Sequence, residues 1–406
     1  MVPNGWERVP LEEVAEVRTG VAKNKKKLED PVELPYLRVA NVQDGRLDLN
    51  EIKTIEIERR KIERYSLVEG DVLMTEGGDF DKLGRGDVWN SQIPQCLHQN
   101  HVFVVRVKND VLSPYFLSAL SGSAYGKNYF LSCAKRSTNL ASINSSQLKK
   151  FPVIFPALKE QQRIMEVIHV WDEAISSVER LLCAVGREKI FLMRKLLNFE
   201  RGLEKARWAN FDDVFARVVR KNTVLNENVL TISAQKGLVS QLDYFNKPVA
   251  SNNLSTYTLL ERGDFAYNKS YSSGYPMGAI KPLVDAACGV VSSLYICFEL
   301  KDEASDSHDY YRHYFESGCH NDQISSIAQE GARNHGLLNV GIGDFFGLSV
   351  FRPSYERQNY VSGAINCVEE MEKKYAAQKA ALIVERSALF SGFLNGGHLF
   401  QAGRAA

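Results

Sequence analysis

The sequence predicts an α/β protein: two mixed α/β domains separated by two long antiparallel coiled-coil helices, arranged as an internal pseudo-twofold repeat. Three observations carry this reading. Short segments recur in the same order about 200 residues apart. Each copy has the same grammar, roughly 150 residues of short strand-like runs and turns followed by roughly 40 residues of helical pattern. Finally, neither helical stretch could leave its apolar stripe in water, so the two must pack on each other or on a partner.

The repeat is read from four echoes. Leu11-Glu12-Glu13-Val14-Ala15-Glu16-Val17 returns as Phe211-Asp212-Asp213-Val214-Phe215-Ala216-Arg217-Val218, each after a tryptophan, Trp6 or Trp208. Tyr65 to Leu73, with its Gly70-Asp71-Val72, returns as Tyr257 to Phe265, with Gly263-Asp264-Phe265. Arg136 to Asn144 corresponds loosely to Ala332 to Val340, and Phe155-Pro156 and Arg352-Pro353 each lead into a helical pattern. The boundaries that follow are a first domain over 1–156, a central long helix over 157–200, a second domain over 201–353, and a C-terminal long helix and tail over 354–406.

Within the first domain, β-branched and aromatic runs predict strands over Tyr36–Val42, Val72–Thr75, Val102–Val107 and Val153–Phe155. Asp44-Gly45, Glu69-Gly70-Asp71 and Gly77-Gly78 punctuate them. Ser113 and Pro114 predict the N-cap and first turn of a helix reaching Ser121. From Lys159 to Leu197 no proline appears, and Ile164, Ile168, Trp171, Ile175, Val178, Leu182 and Val185 recur at helical spacing. Val361, Ile365, Val368, Tyr375 and Leu382 do the same in the second stretch. About 40 residues at 1.5 Å each make a rod of about 60 Å.

Composition excludes several classes. With 406 residues, 44% hydrophobic and 24% charged, the chain is an ordinary multidomain globular protein, neither disordered nor fibrous. No apolar run reaches the 18 to 20 or so residues that span a bilayer, and the first residues lack a basic segment followed by an apolar one. The seven cysteines are scattered and never spaced Cys-x-x-Cys, which argues against a disulfide framework or a zinc ribbon. These features predict a cytoplasmic protein with no membrane partner. The net charge of +1 excludes a histone-like coat, and the second domain is slightly acidic, so nucleic acid would have to be met by focused patches.

Catalytic signatures are missing or broken. Gly122 to Asn128 resembles a phosphate loop but lacks the final Ser or Thr, so a helix end and turn is the better reading. Glu51-Ile52-Lys53 has the spacing of some nucleases without the Asp pairing. The chain also lacks the Asn- or Asp-Pro-Pro-Tyr element and glycine-rich loop of amino-methyltransferases. Cys96, His98 and His101, or His308, His313, Cys319 and His320, could supply metal ligands, but at no standard spacing; strand and helix roles are preferred, and no metal site is assigned. Two loops at the same place in the repeat carry more weight. Thr75 to Gly86 offers Gly77 and Gly78 for close backbone approach, with Lys82 and Arg85 as cations. Asn268, Lys269, Ser270, Tyr271 and Tyr275 offer an amide, a cation, a hydroxyl and two rings.

Taken together, Trp6 to Val17, Leu34-Pro35-Tyr36-Leu37-Arg38-Val39-Ala40-Asn41-Val42, Gly70-Asp71-Val72-Leu73, Ser137-Thr138-Asn139-Leu140 and Phe151 to Pro156 running into Glu160-Gln161-Gln162-Arg163-Ile164 resemble the specificity subunit of a type I restriction-modification system. The resemblance spans essentially the whole chain, although the last motif fades to Tyr355-Glu356-Arg357-Gln358 in the second copy. It implies two target recognition domains, each reading one half of a bipartite, asymmetric double-stranded DNA sequence, with the helices as a ruler. It further implies a non-catalytic chain that docks two methyltransferase subunits and optionally two restriction subunits. The cofactors S-adenosylmethionine, ATP and magnesium would sit on those partners and none on this chain. A related system with fused methylation and cleavage, a phage-defence system, and a coiled-coil scaffold are the alternatives.

On this reading Arg38, Asn41, Lys82, Arg85, Asn139, Asn268, Lys269, Tyr271 and Asn334 would contact bases. Lys25, Lys27, Lys135, Arg136 and Arg333 would anchor phosphates. Gly77, Gly78, Ser137, Thr138, Lys236, Ser270, Tyr275 and His335 complete the expected DNA surface. Gln161, Arg163, Ile164, Trp171, Arg180, Gln358, Val361, Val368 and Tyr375 would form the partner-helix interface.

Overall fold

The computed structural model describes residues 2–23, 28–78, 80, 83–108, 110–136, 141–198, 208–233, 235–245, 253–328 and 338–396. Contacts divide the chain into two compact units. The first takes Met1–Glu179 and the chain from Ala377 onward, and the second takes Arg180–Ala376.

The first unit opens with strand Glu7–Pro10, antiparallel to Pro152–Phe155. A single helical turn, Leu11–Val14, then buries Leu11 and Val14 while Glu12 and Glu13 stay outside. Its central sheet runs in the order Ala15–Thr19, Val102–Val107, Val72–Thr75, Gly86–Val88, every pair antiparallel. Apart from Arg106, the run Val-Phe-Val-Val-Arg-Val at its centre is apolar at both parities because both faces are covered. Phe103 and Val105 face a core shared with Met74 and Val72, whereas Val102 and Val104 face Leu37, Leu73 and Trp89. The helix predicted from Ser113 and Pro114 is present as Pro114–Gly122, but the Ser113 side chain makes no capping bond.

The strand expected over Tyr36–Val42 is displaced. The extended run is Pro31–Leu37, and Val39–Asn41 coils into a short 3-10 turn, because the Asn41 Oδ1 accepts the Arg38 amide at 2.9 Å and holds the chain out of a ladder. At Gly122 to Asn128 the expected helix end is present, but in place of a turn a second helix starts at Ala124. Ser123 caps the second, and a Cβ on Gly126 would lie 2.3 Å from the Ser121 carbonyl.

The second unit repeats this plan. Strand Trp208–Asn210 pairs with Ser349–Phe351, the turn Phe211–Val214 follows, and the sheet order is Phe215–Arg217, Ile296–Leu300, Phe265–Asn268, Ala279–Pro282. The repeated Gly-Asp pair has a local cause. Asp71 accepts the Val68 amide at 2.9 Å and Asp264 the Glu261 amide at 2.7 Å, closing the turn before the strand. Asp71 is also gripped by Arg106 at 2.7 and 2.9 Å, and Asp264 by Arg220.

The long helices are Leu158–Met193, closed by a π-turn at Arg194–Asn198, and Tyr355–Leu394. In the first unit they run antiparallel, joined by Arg386 to Asp172 at 2.5 Å and Lys379 to Glu179 at 2.8 Å. Ile164, Ile168, Phe390 and Phe393 enter that unit's core. In the second unit Lys189 meets Glu372 at 2.6 Å, and Met193, Leu197, Val361 and Ile365 join the core. Among the described residues, no helix is long and apolar enough to cross a membrane.

Candidate nucleic-acid interface

Antiparallel pairing fixes which loops meet. At one end of the first unit's sheet, Thr19 lies opposite Phe103, Val102 opposite Thr75 and Met74 opposite Gly86. That edge therefore gathers the residues after Thr19, the loop 76–85 and the turn before Val102. The opposite end meets the helical turn Leu11–Val14, whose Val14 carbonyl accepts the Lys108 amide at 2.9 Å, and carries the turn that Asp71 closes. Gly77–Gly78 pairs with Ala141–Ser142, which pairs with Lys135–Arg136, adding a small polar ribbon to the edge that holds loop 76–85.

The corresponding edge of the second unit places Arg217 opposite Phe298, Tyr267 opposite Ile296 and Asn268 opposite Ala279. The loop between its two strands, 269–278, has ten residues, as does 76–85. Both loops are pinned in the same way. The Ile143 amide donates to the Glu76 carbonyl at 2.8 Å, and the Leu338 amide donates to the Lys269 carbonyl at 3.0 Å. Two copies of one sheet edge thus carry loops of equal length and different chemistry.

Comparison with known proteins gives these edges a context. Residues 3–184 match the family model of the type I restriction modification DNA specificity domain. The match is to the N-terminal part of the chain, which is similar to type I restriction-modification specificity subunits. A protein named as the MjaX specificity subunit of a type I restriction enzyme, from Methanocaldococcus jannaschii, is 28% identical over 204 residues, 50% of this chain and 47% of that protein. The type I restriction enzyme EcoKI specificity subunit of Escherichia coli K12 is 25% identical over 198 residues, 48% of this chain and 42% of that protein. The chain spans about half the length of the curated relatives it matches. A solved structure described as showing complex assembly and conformational transition of the type I R-M system shares the fold, with a TM-score of 0.60 and 15% identity over 98% of this chain and 100% of that one.

The expected DNA residues differ in where the structure places them. Lys135, Lys236 and Tyr271 are exposed, and Lys269 and Ser270 are half-buried. Lys236 borders an open cavity of about 340 Å³ with Asn228, Tyr244 and Asp285. Arg85 lies in the first loop, its Nε buried without a hydrogen-bond partner among the described residues. Asn268 stands at the strand end and accepts the Ser270 amide at 3.1 Å. Arg38 follows Leu37, whose carbonyl takes the Gln99 amide beside the same edge, and meets Glu51 at 3.4 Å. Lys25, Lys27, Lys82, Ser137, Thr138, Asn139, Arg333, Asn334 and His335 lie outside the described residues, as does the side chain of Arg136.

Other assignments are corrected by geometry. Asn41 is buried and spends its amide inside, donating to the Asp48 and Glu51 carbonyls at 2.9 and 3.0 Å, so it shapes a turn and cannot reach a base. The Tyr275 hydroxyl donates to Glu316 at 2.5 Å and accepts from Lys281 at 3.0 Å; it ties its loop down from within. Burial and the Glu316 carboxylate push its pKa upward. Gly77 is required by strand pairing, since a Cβ there would lie 2.7 Å from the Ala141 carbonyl, and Gly78 is its partner in that ribbon.

The helix assignments divide similarly. Gln161 is fully buried: its Oε1 accepts the Ser113 amide at 2.8 Å, and its Nε2 donates to the Val111 and Pro156 carbonyls at 2.9 and 2.8 Å. Gln358 repeats this, accepting from the Ser307 amide at 2.7 Å and donating to the Pro353 carbonyl at 2.9 Å. These glutamines lock a helix to its own domain and offer no surface to a partner, and Ile164 and Val361 are core residues. Val368 is almost buried, Trp171 and Tyr375 are half-buried, and Arg163 and Arg180 are exposed.

Among the described residues no group of His, Cys, Asp or Glu could hold a metal ion. His98 is buried with Nδ1 at 2.8 Å from the Val102 carbonyl, and burial pulls its pKa down to about 4. Burial likewise pushes the Cys96 thiol up to about 12, so it is an inert core group.

Proposed function

We propose that this chain is the non-catalytic subunit that selects the DNA target of a type I restriction-modification complex. Each unit reads one half of a bipartite, asymmetric duplex sequence with the polar edge of its sheet. The observation that carries the reading is the repetition of one edge, with two ten-residue loops pinned alike, bearing different side chains. A duplicated frame with diverged loops suits two unlike half-sites. Half-sites about one helical turn, roughly 34 Å, apart would match the length scale of the helices.

On this reading the long helices act as the ruler and as the docking surface for two methyltransferase subunits, with two restriction subunits added in the cleaving complex. Val170, Leu181, Ile190 and Phe191 on the first helix and Tyr360, Met371, Ile383 and Val384 on the second are apolar and exposed, and a partner helix would cover them. S-adenosylmethionine, ATP and magnesium would reside on those partners. Lys135 serves as a phosphate anchor. In titrations of duplex DNA against the chain with its methyltransferase partner, Lys135→Ala weakens binding alike for every sequence and lowers the salt slope by about 1. Wild-type affinity that does not depend on duplex sequence would overturn the reading.

A further inference from the structure

We infer that Glu76 is a specificity-determining residue of the first unit, a carboxylate that accepts from a base amino group, and that Lys269 holds the same place with opposite polarity in the second unit. This rests on the DNA-reading function proposed above. The equivalence comes from the backbone. Glu76 and Lys269 each follow the last residue of the same strand, Thr75 or Asn268, and each gives its carbonyl to the returning segment, from Ile143 or Leu338. Each opens the ten-residue loop at the polar edge.

The two sites differ in what holds the side chain. Glu76 Oε2 accepts from His101 Nδ1 at 2.5 Å, and with Nδ1 donating, His101 Nε2 accepts from Asn100 Nδ2 at 3.2 Å. The His101 carbonyl also takes the Glu76 amide at 3.0 Å. A half-exposed carboxylate is therefore oriented at the mouth of the loop by a two-link chain, and His101 is a positioning residue. By register Leu294 stands in the second unit where His101 stands in the first, and, being exposed and apolar, it offers Lys269 no such brace.

The sign of the charge decides the chemistry. A carboxylate repels phosphate, so on a DNA-facing edge it lowers affinity for every sequence unless it meets a donor. In the major groove the donors are the N4 amino group of cytosine and the N6 amino group of adenine, whereas guanine and thymine present O6, N7 or O4 acceptors. Glu76 thus favours an amino-bearing base and rejects a keto base at one position. Lys269 favours the reverse in the other half-site.

The test selects a randomised duplex library with the full chain bound to its methyltransferase partner, comparing wild type with Glu76→Gln, Glu76→Lys and Lys269→Glu. Wild type yields a bipartite motif. Glu76→Gln, which keeps the shape, lowers discrimination at one position of one half-site by roughly 10-fold or more. Glu76→Lys shifts that position toward guanine or thymine, and Lys269→Glu changes only the other half-site. A bipartite wild-type motif left unchanged by Glu76→Gln and Glu76→Lys, or weakened evenly at all positions, overturns the assignment of Glu76 while leaving the DNA-reading function intact. A wild type that selects no motif overturns both.

Discussion

The two units share a sheet order and differ in what fills it. In the first, the positions around the central strands are Leu11, Ala15, Val72, Met74, Phe103 and Val105; in the second the same positions are Phe211, Phe215, Phe265, Tyr267, Ile296 and Phe298. Phe265 stacks on Phe298 with centroids 5.4 Å apart, and Phe211 meets Phe298 edge-on at 5.0 Å. One core is mostly aliphatic and the other aromatic. What stays constant is polar: the Asp that closes the turn before the strand, Asp71 or Asp264, and the Gln that locks the helix, Gln161 or Gln358. Apolar volume can be redistributed among neighbours as long as the core fills, but a buried amide that satisfies particular backbone groups has no substitute of another type.

The largest expected effect tests that shared lock. Gln161→Ala orphans the Ser113 amide and the Val111 and Pro156 carbonyls and costs about 4 kcal/mol in the first unit, and Gln358→Ala costs about as much in the second. Denaturant unfolding followed with a probe in each unit measures both, and losses below about 1 kcal/mol would show that the lock is dispensable.

Next comes acid sensitivity. The folded pKa of His98, about 4, lies below the ordinary 6.5, so its stabilising contribution is complete above pH 6.5 and is lost as pH falls toward 4. Replacing it by His98→Asn removes up to about 3 kcal/mol of this pH dependence from the first unit. The second unit keeps its own slope, because burial also lowers the pKa of His313. Equal slopes for wild type and variant in the first unit would refute the assignment.

The smallest difference concerns the cores. Phe298→Ala costs about 4 kcal/mol and Val105→Ala about 2 kcal/mol at equivalent positions, read from thermal or denaturant unfolding. Equal costs would mean that the aromatic cluster adds nothing beyond filled volume.

Much of the fold was legible because the repeat exposes its own grammar. Val72–Thr75 and Val102–Val107 are strands where their apolar runs begin and end, and the Leu11 and Phe211 echoes fold into the same turn and strand. The Tyr36–Val42 run misled because a single side-chain bond from Asn41 outweighs strand propensity. The site was less legible, since sequence gives residue type but not direction. Gln161 looks like any polar residue among charged helix neighbours, and Tyr275 reads as a loop ring whether it faces solvent or Glu316. Glu76 is hard to read because cations are the expected partners of DNA; its correspondence to Lys269 in the repeat is the signal the sequence holds.

The most direct test of target selection is base-resolution methylation mapping of a host genome carrying the cognate methyltransferase, with and without this chain. Selection by two unlike edges predicts a bipartite, asymmetric methylated motif that appears only when the chain is present. Both proteins expressed and soluble with no such motif, or a motif that persists without the chain, would contradict it.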